Sequence, residues 1–176
     1  MMKQSFELMA RYNQMMNRQL YYCAAQLSDE QLKRDRQAFF GSILGTLNHI
    51  LVGDTLWLQR FAAHPSGFSS LDKVKALAAP KQLDEIIHDN FAALSEARNA
   101  MDAAIVEFST QLTEQDLSQP LSYVNSKGLS QQKHFGLLVQ HFFNHQTHHR
   151  GQLSTLLSQC GQDIGVSDLL VHIPEL

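Results

Sequence analysis

Apolar residues recur along this chain at steps of three and four over four long stretches, the spacing that lines one face of an α-helix. The first stretch, about residues 2–26, puts Phe6, Met9, Met16, Leu20 and Cys23 on one stripe, with Leu27 just past its end. The second opens at Gly41-Ser42, where Ser42 can cap, and runs through Leu47, Ile50, Leu51, Leu58 and Phe61 to the break at His64-Pro65-Ser66-Gly67. A third is expected to start after Pro80 and to carry Leu83, Ile87, Phe91, Leu94, Met101, Ile105, Phe108 and Leu112. The fourth is expected from Ser130 to Gln159, closed by Gly161 as a left-handed cap. Between the last two, Leu121 to Leu129 reads as a small hairpin or irregular crossover turning at Asn125 to Gly128. After the fourth stretch, residues 163–170 read as a loop leading into a short final turn.

Four amphipathic helices bury their stripes best against one another, so the expected fold is all-α, a four-helix bundle forming one domain over residues 1–176. The connection over roughly residues 64–80 is long enough to travel the length of such a bundle, which permits parallel neighbours. The chain is 44% hydrophobic with nine glycines and four prolines, a composition that can fill a core. A formal charge of −3 with no basic run removes the electrostatic footprint of a nucleic-acid binder. Cys23 and Cys160 match no zinc-finger or redox spacing and are expected as free, buried thiols. The N-terminus lacks the charged-then-apolar order of a signal peptide, and no apolar stretch reaches the roughly 20 residues that span a bilayer. A soluble cytoplasmic protein with no membrane partner is expected.

The candidate chemistry lies in the fourth stretch, within His141-Phe142-Phe143-Asn144-His145-Gln146-Thr147-His148-His149-Arg150-Gly151-Gln152. Residues four apart on a helix are offset by only about 40° around the axis, so His145 and His149 can converge on one ion. His141 stands in the same relation to His145, and spacing alone does not choose between the two pairs. A third ligand must come from another helix, and His49 is the histidine of the second stretch. It lies about two turns from the start of its helix, while His145 and His149 lie about three to four turns from the end of theirs. Antiparallel packing matches these depths, whereas parallel packing would leave a gap of roughly 13 Å or more at 1.5 Å per residue. Long crossover and ligand depth favour the same up-down-down-up order.

The neighbours of these histidines have expected roles as well. Gly53, one turn after His49, leaves room for an ion, a substrate or close helix packing. Trp57 is core or pocket wall. Asp54, rotated by about 140° from His49, is expected behind a ligand or at the surface. Gln152 shares the ligand face and can reach bound water, and His148 is expected to be solvated. His64, His88, His134 and His172 fall outside any cluster. The substrate pocket is expected between helix faces and the loops near residues 121–129 and 161–170.

Ser42-Ile43-Leu44-Gly45-Thr46-Leu47-Asn48-His49-Ile50-Leu51-Val52-Gly53-Asp54 with Trp57, then His145 to Leu153, then Gly161 to Gly165 with Asp168-Leu169, occur in an order and spacing that resembles the DinB/YfiT-like metalloenzymes. The resemblance spans the chain and implies an up-down-down-up four-helix bundle. It also implies a divalent metal, zinc or nickel, on His49, His145 and His149, which leaves His141 out. Dimers are common in that family, so a homodimer is implied without anything in the sequence that places its interface.

Three neutral imidazoles and an open position suit a catalytic metal rather than a closed structural one. Such a site activates water, as in a hydrolase, or a low-molecular-weight thiol, as in an S-transferase, and for the thiol the resemblance implies bacillithiol or mycothiol, which related bundle proteins use. A small-molecule substrate is implied either way. The glutamate of H-E-x-x-H is missing between His145 and His149, which disfavours a peptidase. The competing class is a non-catalytic, stress-associated bundle protein with a structural metal.

Overall fold

A computed structural model describes residues 1–175 and is mostly helical with one small two-stranded sheet. Helix α1 spans Met2–Ala24 and buries Phe6, Ala10, Asn13, Asn17, Leu20 and Ala24, one face at steps of three and four. A short helix α2, Asp29–Lys33, follows through a capping box in which Ser28 and Gln31 bond each other's backbone N–H. Helix α3, Ile43–Phe61, starts where Ser42 Oγ accepts from the Gly45 N–H. It is buried on every side from Ile43 to Thr55, which makes it the central helix of the molecule.

After a 3-10 turn at Ser69–Leu71 and the four-residue helix α4, Asp72–Lys75, comes helix α5, Phe91–Gln111. The expected start after Pro80 is therefore ten residues early. Leu83 and Ile87, placed on the buried stripe by their spacing, are 52% and 37% exposed. The physical reason is side-chain bonding that competes with the helix. Asn90 Oδ1 caps α5 at the Ala93 N–H, and Asn48 of α3 bonds both the N–H and the carbonyl of His88. Residues 81–90 are thereby laid across the start of α3 instead of coiling.

Helix α6, Glu114–Ser118, leads into strand β1, Pro120–Val124, paired antiparallel with β2, Ser130–His134, from Pro120↔His134 to Val124↔Ser130. Asn125 Oδ1 accepts from the Lys127 and Leu129 N–H groups across the turn, and Gly128 takes a φ of +76°. The hairpin expectation holds, and it shortens the fourth helix: α7 is Phe135–Ser158, and residues 130–134 are strand. Ser130-Gln131-Gln132-Lys133-His134 offers no apolar side chain for a helical stripe, while its backbone completes the ladder with β1. The other end of α7 is as expected, with Gly161 at φ +76° and the Gln162 N–H returning to the Leu157 carbonyl. A final 3-10 turn covers Leu169–His172.

Helix α1 packs on α5 and α7, and α3 packs on the same two from the other side. Along α3 and α7 residue numbers run in opposite directions: His49 meets His149, Trp57 meets His141, and Phe61 meets Phe135. One end of the core is aromatic, where Phe61, Phe68, Phe108, Phe135 and Phe142 stack around His64. Among the described residues no helix is long and apolar enough to cross a membrane.

Candidate metal centre

The opposed run of α3 and α7 brings His49, His145 and His149 together, with one ring nitrogen of each lying within 4.8 Å of the others. His49 Nε2 is 3.2 Å from His145 Nε2 and 3.1 Å from His149 Nε2. The remaining nitrogens decide what these short approaches mean. His49 Nδ1 stands 2.7 Å from the Leu83 carbonyl oxygen and His149 Nδ1 stands 2.8 Å from Gln152 Oε1. A carbonyl oxygen can only accept, so each Nδ1 is the protonated nitrogen and each Nε2 presents a lone pair. Two lone pairs thus face each other across 3.1 Å. A proton on His145 Nε2 could serve one of them and not both.

Burial keeps the rings neutral. It lowers the pKa of His49 and of His149, and it lowers that of His145 to about 3, with the neighbouring His149 and His49 rings adding to the effect. Neutral imidazoles with convergent lone pairs are the donor set of a borderline cation such as zinc. Two nitrogens each 2.0–2.1 Å from a tetrahedral ion would stand about 3.4 Å apart, close to the spacing observed. The residues present therefore fit a divalent metal.

Each ring has a distinct support. Phe40 stacks on His49 at 3.7 Å and meets His149 edge-on at 5.5 Å. Gly53 lies under His145: a Cβ built there would fall 2.6 Å from His145 Cε1, so the room left by this glycine is taken by the imidazole itself. Gln152, expected at bound water, instead holds His149 through its Nδ1. His148 is exposed, as expected, and His141 is exposed with its ring 6.3 Å from that of His145, outside the cluster. Trp57 is half-buried wall between His141 and Tyr123. The hairpin thus flanks the site, whereas the loop near residues 161–170 lies against α1, where Tyr12 Oη donates to the Ser167 carbonyl and Cys23 Sγ to that of Asp163. Both cysteines are free; Cys23 is buried, and Cys160, expected buried, is half-buried. A cavity of about 700 Å³ lies elsewhere, between α3, α4 and α5, lined by Leu51, Val74, Ala97, Met101 and Ala104.

Asp54 neither backs a ligand directly nor faces solvent. It is fully buried, accepts from Arg98 Nη1 at 2.5 Å and from Gln146 Nε2 at 2.8 Å, and so bonds the residue next to His145 rather than a ring of the cluster. Arg98 Nη2 also pairs with Asp102 Oδ1 at 2.9 Å, and Asn17 donates to the same oxygen at 2.8 Å. Arg150 bonds Asn13 and Thr147, completing a layer with two buried carboxylates and two buried guanidinium groups. Burial pushes the carboxyls of Asp54 and Asp102 up, opposed by Arg98. Burial alone would lower Arg98, but Asp102 and Asp54 outweigh it and raise its pKa. Because Gln146 and Arg150 each follow a histidine of the cluster in α7, this layer fixes the rotation of that helix about its axis.

A profile of the DinB family matches residues 2–173 of the chain. The chain belongs to the DinB family. Protein DinB of Bacillus subtilis (strain 168) is similar to this DinB-family chain, 26% identical over 164 residues that cover 92% of the chain and 90% of that relative. No solved structure matches the chain. The match takes in both helices that bear the histidines.

Proposed function

We propose that this DinB-family chain is a metal-dependent enzyme in which His49, His145 and His149 hold a divalent ion, zinc or nickel, for chemistry on a small molecule. The observation that carries the reading is the 3.1 Å approach of two imidazole nitrogens whose lone pairs are both turned inward. A divalent cation turns that repulsion into two coordinate bonds. When bound, such an ion lowers the pKa of water or of a thiol.

Between the two chemistries, a low-molecular-weight thiol is favoured over water by the chain's own residues. Among the described residues no carboxylate bonds any of the three rings, so a general base for hydrolysis is missing next to them. A coordinating thiol would be deprotonated outright, whereas bound water reaches only a pKa of about 7, so the thiol depends less on a base. The chain's part in an S-transfer is then to keep the rings neutral, to exclude water with Phe40, and to seat the electrophile along the Trp57 side. In this reading the four long helices form an up-down-down-up bundle, supported by the opposed run of α3 against α7. The protein works in the cytoplasm, as a homodimer, without nucleic-acid or membrane partners.

Elemental analysis of the purified protein, repeated on His49→Ala, His145→Ala and His149→Ala, tests the ligand set. One equivalent of metal in the parent and loss in each variant is expected, and metal retained by any variant removes that histidine. Chelation separates an enzyme from a bundle with a structural metal. The enzyme stays cooperatively folded without its ion, and a structural site does not. With metal confirmed, turnover of an electrophile that depends on added thiol identifies a transferase, and thiol-independent cleavage of an ester or amide identifies a hydrolase.

A further inference from the structure

Arg60 stands out among the cations of the chain. It is half-buried, yet among the described residues it has neither an ion pair nor a hydrogen bond, whereas the fully buried Arg98 and Arg150 are both bonded to protein groups. Its guanidinium lies over two aromatic faces, 4.7 Å from the Trp57 ring centre and 5.2 Å from that of Tyr123. Held over these ring faces, the guanidinium makes no N–H hydrogen bond to the described residues, so its N–H groups stay available as the fork that matches a carboxylate in a two-pronged bond. Burial lowers the pKa of Arg60, which means that part of its water shell is already gone.

The same aromatic surface leads to the histidines. Trp57 is 5.1 Å from His141, and His141 is 6.3 Å from His145. Gly53, which faces His145, precedes Arg60 by seven residues of one helix, a rise of about 10 Å. The long side chain of a helical arginine leans back toward the N-terminus, and so toward the histidines. A cation with free donors is thus held at the far end of an aromatic wall that begins at the proposed metal.

We propose that Arg60 is the recognition residue for a carboxylate carried by the substrate about 10 Å or less from the reacting atom. The substrate class is then an extended acid of roughly tripeptide size, with its reactive sulfur or electrophile at the histidines and its carboxylate on Arg60. Trp57 and Tyr123 hold the guanidinium in place at the end of that wall. One guanidinium gives a single fork, which suits one planar carboxylate better than a phosphate dianion that calls for several donors. This placement rests on the proposed metal site only for where the reacting end lies; the anion site itself does not require the metal.

Trp57 is the single tryptophan of the chain and touches Arg60, so its emission reports on the site directly. The zinc-treated protein is titrated with S-methylglutathione, whose blocked sulfur cannot become a thiolate, and with the diethyl ester of the same peptide. A saturable change in Trp57 emission is expected with the acid, at least about tenfold tighter than with the ester. That preference should vanish in Arg60→Gln, with ester binding unchanged, and be partly kept in Arg60→Lys. Equal binding of acid and ester, no saturable change, or a preference that survives Arg60→Gln would overturn the proposal. A guanidinium serving only to cover Trp57 would give that last result. Unblocked glutathione read on the same protein and on His149→Ala reports separately on the metal: a zinc-dependent part that is lost in His149→Ala is expected, and one that is absent from the parent or survives in His149→Ala would count against the metal site and leave the anion site standing.

Discussion

Replacing Gly53 by alanine separates what the fold needs from what the site needs. The new methyl carbon would stand 2.6 Å from His145 Cε1 and 3.2 Å from its Nδ1, where an ordinary carbon contact is about 3.5–4.0 Å. The ring must retreat by about 1 Å. For the fold this is cheap, because an imidazole turns on two torsions and the helix gains about 1 kcal/mol from losing a glycine. Overpacking would take back about 1–3 kcal/mol, so the stability of the metal-free protein should change by no more than about 2 kcal/mol. For the site it is costly, since ligand distances tolerate only about 0.2 Å. We expect metal affinity to fall about 100-fold, equivalent to about 2.8 kcal/mol. Gly151→Ala is the control, as a Cβ there meets nothing within 4 Å on the exposed side of α7. It should gain about 1 kcal/mol of stability and leave the metal untouched. Competition against a chromophoric chelator reads the affinity, and urea melts of the stripped protein read the stability. Parent-like metal affinity in Gly53→Ala would refute the reasoning, because the displaced ring would then not be a ligand.

Gln152→Leu removes the acceptor that orients His149; metal affinity should fall about tenfold with little change in folding, and Gln152→Glu should restore it, by the same competition assay. Asp54→Asn leaves the buried Arg98 with Asp102 alone and should cost about 3–5 kcal/mol in urea unfolding; a loss under 1 kcal/mol would mean that the pair is not buried as a charged unit. His64 accepts from the Ser66 N–H at Nδ1 while its buried Nε2 has no partner, and burial lowers its pKa. The folded state therefore binds this proton less readily than the unfolded one, so stability is full above about pH 6.5 and is lost as pH falls toward the lowered value. His64→Phe, stacked on Phe135 in the same place, should reduce the slope of stability against pH between 7 and 5 by up to about 1.4 kcal/mol per unit, and an unchanged slope would sink the assignment.

The residues that sequence alone made legible are those whose job follows from helical period. His145 and His149 share a face because they are four apart, and His49 meets them because depth along opposed helices is arithmetic at 1.5 Å per residue. The same arithmetic misled at Leu83 and Ile87, four apart and apolar, because periodicity ignores the side-chain bonds of Asn48 and Asn90 that hold residues 81–90 in another shape. That misreading hid part of the site, for the Leu83 carbonyl that sets the tautomer of His49 exists only where the segment is not helical. A backbone oxygen leaves no trace in residue type. Arg98 and Asp102 did leave one, a charged pair at i and i+4 set into the stripe of Leu94, Met101 and Ile105, and their partner Asp54 was the buried acid next to Gly53. An isolated charge on an apolar face has to find its opposite on a neighbouring helix, since burying it unpaired would cost several kcal/mol. Reading such charges as contact constraints would have set α5 against α3 from the sequence, in the way that the three histidines set α7 against α3.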